Sequence, residues 1–264
     1  MCRFVAWSGA PRYLEEFVFE PEQSIVAQSK KALVSKTQIN ADGFGLAWYQ
    51  AHREPCIYKG THPAWSDPNL AQLAHHVQSR LFLAHVRAST GMATSRNNCH
   101  PFGCNHWCFM HNGQAGGHDI FRKDLDALIP DEHYQFRMGA TESEAIFLIA
   151  MGMGLATRPI GAMADAAHLV QELSRKKGKT PHLRFSACWT DGNKLYAARY
   201  ASDLLAPSLF YNITSNGVIV SSEPLSANAN EWIEVQPNEA LVIENDSIEK
   251  HVFLPANKMT CTLH

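Results

Sequence analysis

The chain has 264 residues, of which 45% are hydrophobic and 18% are charged. This composition allows a substantial core and excludes a largely disordered chain. The formal net charge is −2, and the one short basic run, Arg175-Lys176-Lys177, is typical of a helix end, so the charge pattern gives no support for nucleic-acid binding.

Cysteine usage and hydropathy indicate the cellular compartment in which we expect the protein. The seven cysteines are odd in number and irregularly spaced, which disfavours a disulfide framework and favours a reducing cytoplasm. The amino terminus has no apolar run long enough for a signal peptide, and no stretch is long enough to cross a membrane. There is no repeat and no clear linker, so we expect residues 1–264 to form one domain.

The predicted elements, in chain order, place strands on both sides of a central helical block. The strands are predicted at 2–7, 44–49, 56–59, 81–86, 106–111, 183–190, 194–200, 209–213, 218–222, 232–235, 240–244 and 248–253. The helices are predicted after a cap at Ser66, through 121–128, from Thr141, and over 162–173. This order favours sheets packed together with helices outside, and not an alternating βαβ array.

The amino terminus combines a thiol with a potential base. Cys2 follows Met1, and its small side chain would allow an aminopeptidase to remove the methionine. The freed α-amine, with a pKa of about 8, could then take the proton of its own thiol. The alternative is that Cys2 is an incidental small residue beside the start.

Three later stretches carry groups that could complete such a site. Arg87 ends a predicted strand and could grip a carboxylate with its planar fork, or could simply pair with a surface acid. Asn112-Gly113 could supply a side-chain amide and a backbone N–H to an oxyanion, or could form a hairpin turn. Glu142 lies at a predicted helix start, where it could bind an ammonium group, next to a capping pair formed by Thr141 and Glu144.

A cluster of metal-ligand residue types is also present between residues 99 and 111, but the spacing lacks a Cys-x-x-Cys pair. On an extended strand, Cys104 and Cys108 would face one side and His111 the other. We therefore predict no metal site, and the chemistry of the other residues requires no cofactor.

Taken in order, these stretches resemble the class II glutamine amidotransferases, a branch of the N-terminal-nucleophile hydrolases. The resemblance rests on Met-Cys-Arg at the start, on residues 85–90, on Asn98-Cys99-His100-Pro101, on His111-Asn112-Gly113 and on residues 139–144. Residues 42–49 and Ser221-Ser222-Glu223-Pro224-Leu225 look like the small stand-alone members of YafJ type. The resemblance implies an α+β fold, a four-layer αββα sandwich with two stacked, mainly antiparallel sheets.

The resemblance also implies roles for individual residues. Cys2 would be the nucleophile, and Asn112 and Gly113 the oxyanion hole. Arg87 and Thr90 would hold the α-carboxylate of glutamine, and His100 would line that pocket. Glu142 stands where the family has aspartate and would meet the substrate's α-ammonium.

The implied activity is hydrolysis of the glutamine side-chain amide through a γ-glutamyl thioester, releasing ammonia and glutamate. Two alternatives stay open: a hydrolase of larger γ-glutamyl amides, as in ergothioneine synthesis, and a non-catalytic binding protein on the same fold. Because the glutaminase portion takes up almost the whole length, any synthase that accepts the ammonia would be a separate partner.

Overall fold

The computed structural model describes residues 2–30, 40–88, 94–244 and 246–254. The helices in this part of the chain are α1 (Glu15–Val18), α2 (Ile25–Lys30), α3 (Pro68–His76), α4 (His118–Asp126), α5 (Asp131–Tyr134), α6 (Glu142–Gly152) and α7 (Pro159–Lys177). The strands are β1 (Arg3–Tyr13), β2 (Phe44–Trp48), β3 (Cys56–Gly60), β4 (Gln78–Val86), β5 (Phe102–Cys104), β6 (Trp107–Gln114), β7 (Arg184–Thr190), β8 (Leu195–Ala201), β9 (Phe210–Thr214), β10 (Gly217–Ser221), β11 (Ile233–Glu234), β12 (Glu239–Glu244) and β13 (Ser247–Val252).

The described strands form two antiparallel sheets. The first has the order β11-β9-β10-β1-β4-β2-β3, and the second has the order β13-β12-β8-β7-β6-β5. The first strand of the chain therefore lies in the middle of its sheet, between β10 and β4. The strands predicted at 44–49 and 56–59 are confirmed, and they pair with each other as β2 and β3.

Three hydrophobic cores stack these elements into four layers. Helices α1 to α3 pack on the outer face of the first sheet, and α4, α6 and α7 pack on the outer face of the second. The third core lies between the sheets and includes Phe4, Leu83, Met110 and Cys188. The predicted αββα sandwich is thus confirmed.

Alternation along β1 sends its side chains to two different layers. Phe4 and Ala6 face the second sheet, whereas Val5 and Trp7 face the helices. The same period of two places the side chain of Cys2 on the inward side and that of Arg3 on the helix side.

The strand predicted at 2–7, which would end before Ser8-Gly9, is too short, because β1 continues to Tyr13 with an irregularity between Ser8 and Arg12. Gly9 lies against the turn that joins β9 and β10, and a Cβ there would lie 2.2 Å from the carbonyl oxygen of Asn216. The missing side chain lets the strand pass the turn and extend.

Two further local predictions need correction. The cap of α3 is Asp67, whose Oδ1 accepts the N–H of Leu70 at 2.9 Å, and not Ser66. The stretch from Cys104 onward is not one strand, because a turn with a positive φ of 53° at Asn105 separates β5 from β6. Cys104 therefore packs in the helix-side core, while Cys108 lies between the sheets.

Helix α6 is buried on every face over residues 143–150, because it lies against β6, α4 and α7. It has 11 residues, too short for a bilayer. No helix in the described part of the chain combines the length and apolar character that a membrane crossing requires.

Candidate active site

A cavity of about 110 Å³ opens where the space between the two sheets reaches the ends of β4 and β6. Its wall includes six of the seven residues predicted for the site: Cys2, Arg87, His100, Asn112, Gly113 and Glu142. The seventh, Thr90, lies outside the described residues. Residues separated by as many as 140 positions in the sequence thus meet at one place.

Cys2 is half-buried at this end of the first sheet. Its Sγ lies 3.4 Å from the backbone N of Ala88, which donates to it, and 3.6 Å from the Ala88 carbonyl oxygen. Burial raises the pKa of the thiol, opposed by the Ala88 N–H and by the positive charges of Arg87 and Arg3. The thiol form is therefore favoured at rest, and ionisation requires a base.

Arg87 is held at the end of β4 by backbone contacts with the turn that precedes β2. Its N–H donates to the carbonyl of Gly43 at 2.8 Å, and its Nη1 lies 3.4 Å from the carbonyl oxygen of Asp42. The residue is 5% exposed, and its side chain lines the cavity. A guanidinium held in this way suits a ligand carboxylate.

The hairpin interpretation of Asn112-Gly113 is wrong, because β6 continues to Gln114 and pairs with β7. Asn112 lies opposite Ser186 in this register and points into the space between the sheets, as Met110 does. Its side-chain amide has no hydrogen-bond partner among residues 2–30, 40–88, 94–244 and 246–254. An amide that lines a cavity without such a partner is a donor available to a ligand.

Gly113 leaves room for a structural hydrogen bond. A Cβ at this position would lie 1.9 Å from the carbonyl oxygen of Arg184 and 2.4 Å from Nε2 of His111. Those two atoms are themselves 3.2 Å apart, so the imidazole Nε2–H donates to the carbonyl. Any side chain at residue 113 would break this contact.

The other ring nitrogen of His111 connects β6 to helix α6. Nδ1 lies 2.9 Å from Oγ of Ser143 and accepts its hydrogen. Burial lowers the pKa of His111 to about 4, so the ring is neutral at physiological pH. This pair sets the distance between the Asn112-Gly113 segment and the first turn of α6.

Glu142 is the first residue of α6, and it lines the cavity. Burial raises the pKa of its carboxyl, opposed by the backbone N–H groups of Glu142 and Ala115 and by the charges of Arg137 and Arg87. The capping prediction is also correct for Thr141, whose Oγ1 accepts the N–H of Glu144 at 3.2 Å. The cap thus holds Glu142 in place.

Glu144 has a different role from Glu142. Its carboxylate accepts the N–H of Gly139 at 2.7 Å and forms a buried ion pair with Arg137 at 3.0 Å. It stabilises the segment before α6 and does not line the cavity. The two acids of this helix start therefore divide into one that faces the cavity and one that stabilises the fold.

His100 packs against a second buried histidine. Its ring centroid lies 4.3 Å from that of His85, and burial lowers the pKa of His85 to about 3 and that of His100 well below its usual value. Their four ring nitrogens have no hydrogen-bond partner among the described residues. His100 thus presents a neutral ring to the cavity.

Sequence reasoning missed several lining residues, including Ala88, Gln114, Ser143, Arg184 and Pro207. Gln114 and Arg184 could have been suspected, since they continue the inward alternation of two apolar strands with polar side chains. Pro207 follows no such pattern, because its position depends on the path of the β8–β9 connection.

The cavity brings together a thiol, an unpaired amide donor, a guanidinium and a carboxylate. A cation and an anion on one wall match the two charged groups of a free amino acid. A thiol beside amide donors is the arrangement that acyl transfer from an amide requires. Within the described residues no cluster of three metal-ligating side chains is found.

The chain is similar in sequence to known proteins. A family model described as glutamine amidotransferases class-II matches residues 22–209. The chain is 31% identical to a probable glutamine amidotransferase, DUG3, of Saccharomyces cerevisiae over 95% of this chain and 84% of that protein. It is 28% identical to the gamma-glutamyl-hercynylcysteine sulfoxide hydrolase of Mycolicibacterium smegmatis, over 94% of this chain and 97% of that one.

Solved structures show the same fold. A glutamine aminotransferase class-II domain protein from Silicibacter pomeroyi superimposes with a TM-score of 0.77 at 42% identity, covering 96% of this chain and all of that one. The phosphoribosylpyrophosphate amidotransferase of B. subtilis has a TM-score of 0.58 at 13% identity, over 96% of this chain and 49% of its own, and shares the fold. The chain belongs to the class II glutamine amidotransferase family.

Proposed function

We propose that this protein hydrolyses the side-chain amide of glutamine, or of a γ-glutamyl amide, with Cys2 as the nucleophile. The observation that carries the proposal is the convergence of Cys2, Arg87, Asn112 and Glu142 on one cavity. Each supplies a different requirement of the reaction: attack, recognition of a carboxylate, stabilisation of an oxyanion and recognition of an ammonium group.

Activation of the thiol requires a base, since burial raises the pKa of Cys2. Removal of Met1 would free the α-amine of the same residue, which has a pKa of about 8 in an unperturbed chain. This amine takes the thiol proton, directly or through a water. The Ala88 N–H, 3.4 Å from the sulfur, then stabilises the thiolate.

The thiolate attacks the amide carbon, and the carbonyl oxygen becomes an oxyanion. The amide of Asn112 and the N–H of Gly113 stabilise it, and loss of one such donor costs about 2.7–4 kcal/mol. The C–N bond breaks as the protonated α-amine of Cys2 gives its proton to the leaving nitrogen. Water, deprotonated by the same amine, then hydrolyses the γ-glutamyl thioester to glutamate and regenerates the thiol.

The substrate's amino-acid end binds beside the two charged residues that line the cavity. Arg87 binds the α-carboxylate, with Thr90 as the proposed second contact, and Glu142 binds the α-ammonium. His100 shapes the pocket through a neutral ring, which avoids a second positive charge beside Arg87. The arrangement uses no cofactor, and we place the reaction in the cytoplasm, in keeping with the cysteine usage.

A larger γ-glutamyl amide is the second candidate substrate. A cavity of about 430 Å³ adjoins the first and shares Gln114 and Glu142 with it, so a ligand could extend beyond the glutamyl group. The Mycolicibacterium relative is named as a hydrolase of such a conjugate. With free glutamine, the ammonia would pass to water or to a separate synthase.

Intact mass spectrometry of the purified protein tests the proposal. We expect loss of Met1 and, after incubation with an electrophilic glutamine analogue, one covalent adduct at Cys2. Parallel assays compare glutamine with γ-glutamyl amides of larger amines by glutamate release. Retention of Met1, with no adduct and no glutamate from any of these compounds, would instead support a non-catalytic binding protein.

A further inference from the structure

The motif Ser221-Ser222-Glu223 lies beside the amino terminus, and the proposed reaction uses none of its residues. The ladder between β1 and β10 ends with Val5 opposite Ser221. Beyond this point Ser222 holds Phe4 on both sides: its Oγ accepts the Phe4 N–H at 3.0 Å, and its own N–H donates to the Phe4 carbonyl at 3.1 Å. The motif thus extends the hydrogen bonding of β1 by one residue toward Cys2.

Glu223 reaches the next residue through an ion pair. Its Oε1 lies 2.5 Å from Nη2 of Arg3, and both side chains are 2% exposed. Nη1 of Arg3 donates to the carbonyl oxygen of Cys2 at 2.8 Å. A chain of contacts therefore runs from the carboxylate of Glu223, through the guanidinium, to the backbone of the proposed nucleophile.

The segment that carries Glu223 is itself anchored. Nε2 of Gln28 donates to the carbonyl of Pro224 at 3.1 Å, and the N–H of Gln23 donates to that of Leu225 at 3.2 Å. Oγ of Ser221 lies 2.6 Å from the Glu223 carbonyl and donates to it. These hydrogen bonds fix the backbone of the segment that carries the Glu223 carboxylate.

We propose that Arg3 and Glu223 are positioning residues that fix the backbone of Cys2, and with it the direction from which the sulfur meets the substrate. The inference rests on the proposed function of Cys2. Neither side chain lines the catalytic cavity, because alternation along β1 turns Arg3 to the helix side of the sheet. Their effect therefore passes through the Cys2 carbonyl and not through contact with substrate.

Orientation of Cys2 gives this buried ion pair a role other than stability. A pair of opposite charges can often be replaced by apolar side chains without loss of stability, so its presence is weak evidence for a stabilising role. Misplacement of a reacting atom by about 1 Å can lower a rate by about 10²-fold. Holding the Cys2 carbonyl with a planar, charged donor restricts such movement.

The test uses the double variant Arg3→Met/Glu223→Leu, which removes both charges together and leaves apolar side chains of similar size. We expect it to fold, with kcat lowered by at least about tenfold and KM within about twofold of the wild type. The matched control is Arg12→Met/Glu16→Leu, an arginine–glutamate pair at the other end of β1, for which we expect wild-type kcat.

A second measurement separates position from acidity. The rate of Cys2 alkylation by iodoacetamide depends on the thiolate fraction, whereas labelling by a glutamine analogue also depends on orientation in the pocket. Loss of the Arg3 charge should lower the first rate somewhat, because that charge opposes the rise of the Cys2 pKa. We expect the second rate to fall by at least about tenfold more than the first. Equal losses in both rates, or wild-type kcat, would overturn the proposal.

Glu223→Gln and Arg3→Lys keep the proposal testable if the double variant does not fold. Gln keeps an acceptor for Arg3, so we expect a smaller loss of kcat than in the double variant. Lys cannot hold Cys2 and Glu223 with one planar group, so we expect a larger loss than in Glu223→Gln. The reverse order contradicts the inference, whereas an inactive wild-type protein without an adduct at Cys2 contradicts the proposed function itself.

Discussion

The space between the two sheets has two halves with opposite chemistry, although the same strands line both. In one half Phe4, Met110 and Cys188 belong to an apolar core. In the other half the inward positions of the same strands are Cys2, Asn112 and the polar residues that follow. The next inward-facing residue along each strand therefore lies in the cavity with its reactive groups and not in the apolar core.

The cysteines of the two halves show what this change does. Burial raises the pKa of Cys108 to about 12, and the nearby Tyr49 hydroxyl and the charge of Lys59 only partly oppose it. The pKa of Cys2 is also raised, but a backbone N–H and two arginines oppose the rise. A thiol between the sheets is therefore inert in the apolar half and can be ionised only at the end, where donors and cations are present.

Removing the sulfur in each half should give the largest contrast. We expect Cys2→Ala to lower glutamate release by at least about 10³-fold, because no other described side chain in the cavity can form the thioester. Cys188→Ala, in the apolar half, should keep activity within about twofold and lose about 1 kcal/mol of stability. Steady-state kinetics and urea unfolding measure both, and wild-type rates in Cys2→Ala would remove the basis for the mechanism.

The amide donor gives the next largest effect. Asn112→Ala should lower kcat by about 10²–10³-fold with little change in KM, since its contact strengthens only as the oxyanion forms. Met110→Leu, the preceding inward residue on β6, is the control and should be close to the wild type because the volume is conserved. A change confined to KM in Asn112→Ala would mean that the amide binds the ground state.

The carboxylate of Glu142 should produce a pH-dependent KM. Its ionised form binds the α-ammonium, and burial raises its pKa, so KM should rise as pH falls and should begin to do so at a higher pH than for an exposed glutamate. Glu142→Gln should raise KM by about tenfold and abolish this dependence. Glu144→Gln is the comparison variant. We expect it to have a lower free energy of unfolding and an unchanged pH profile of KM.

The smallest effect concerns the buried histidines beside the cavity. The pKa of His85 is about 3 in the folded protein and about 6.5 in an unfolded chain, so the unfolded state binds the proton first as pH falls. This residue alone should cost about 1 kcal/mol of stability between pH 6.5 and pH 5.5. His85→Phe should reduce the slope of unfolding free energy against pH by that amount, and an unchanged slope would show that His85 is protonated in the folded state.

Local patterns predicted most of the elements. Strands β2 and β3 and the start of α6 follow from alternation and cap chemistry over a few residues. Two of the errors arose where a distant segment decided the outcome. Gly9 reads as a strand end until the approach of Asn216 is known, and Asn112-Gly113 reads as a hairpin until β7 is seen to pair beyond it.

The sequence by itself determined which chemical groups are available: a second-position cysteine, an arginine after a strand, an Asn-Gly pair and an acid at a helix start. Their motifs were sufficient to suggest the family. Only the tertiary structure decided that these groups face one cavity, that Glu142 and Glu144 have separate roles, and that Arg3 and Glu223 hold the backbone of Cys2. The reason is physical: residue type and local spacing act over a few residues, whereas the meeting of groups more than 200 positions apart depends on how two sheets pack.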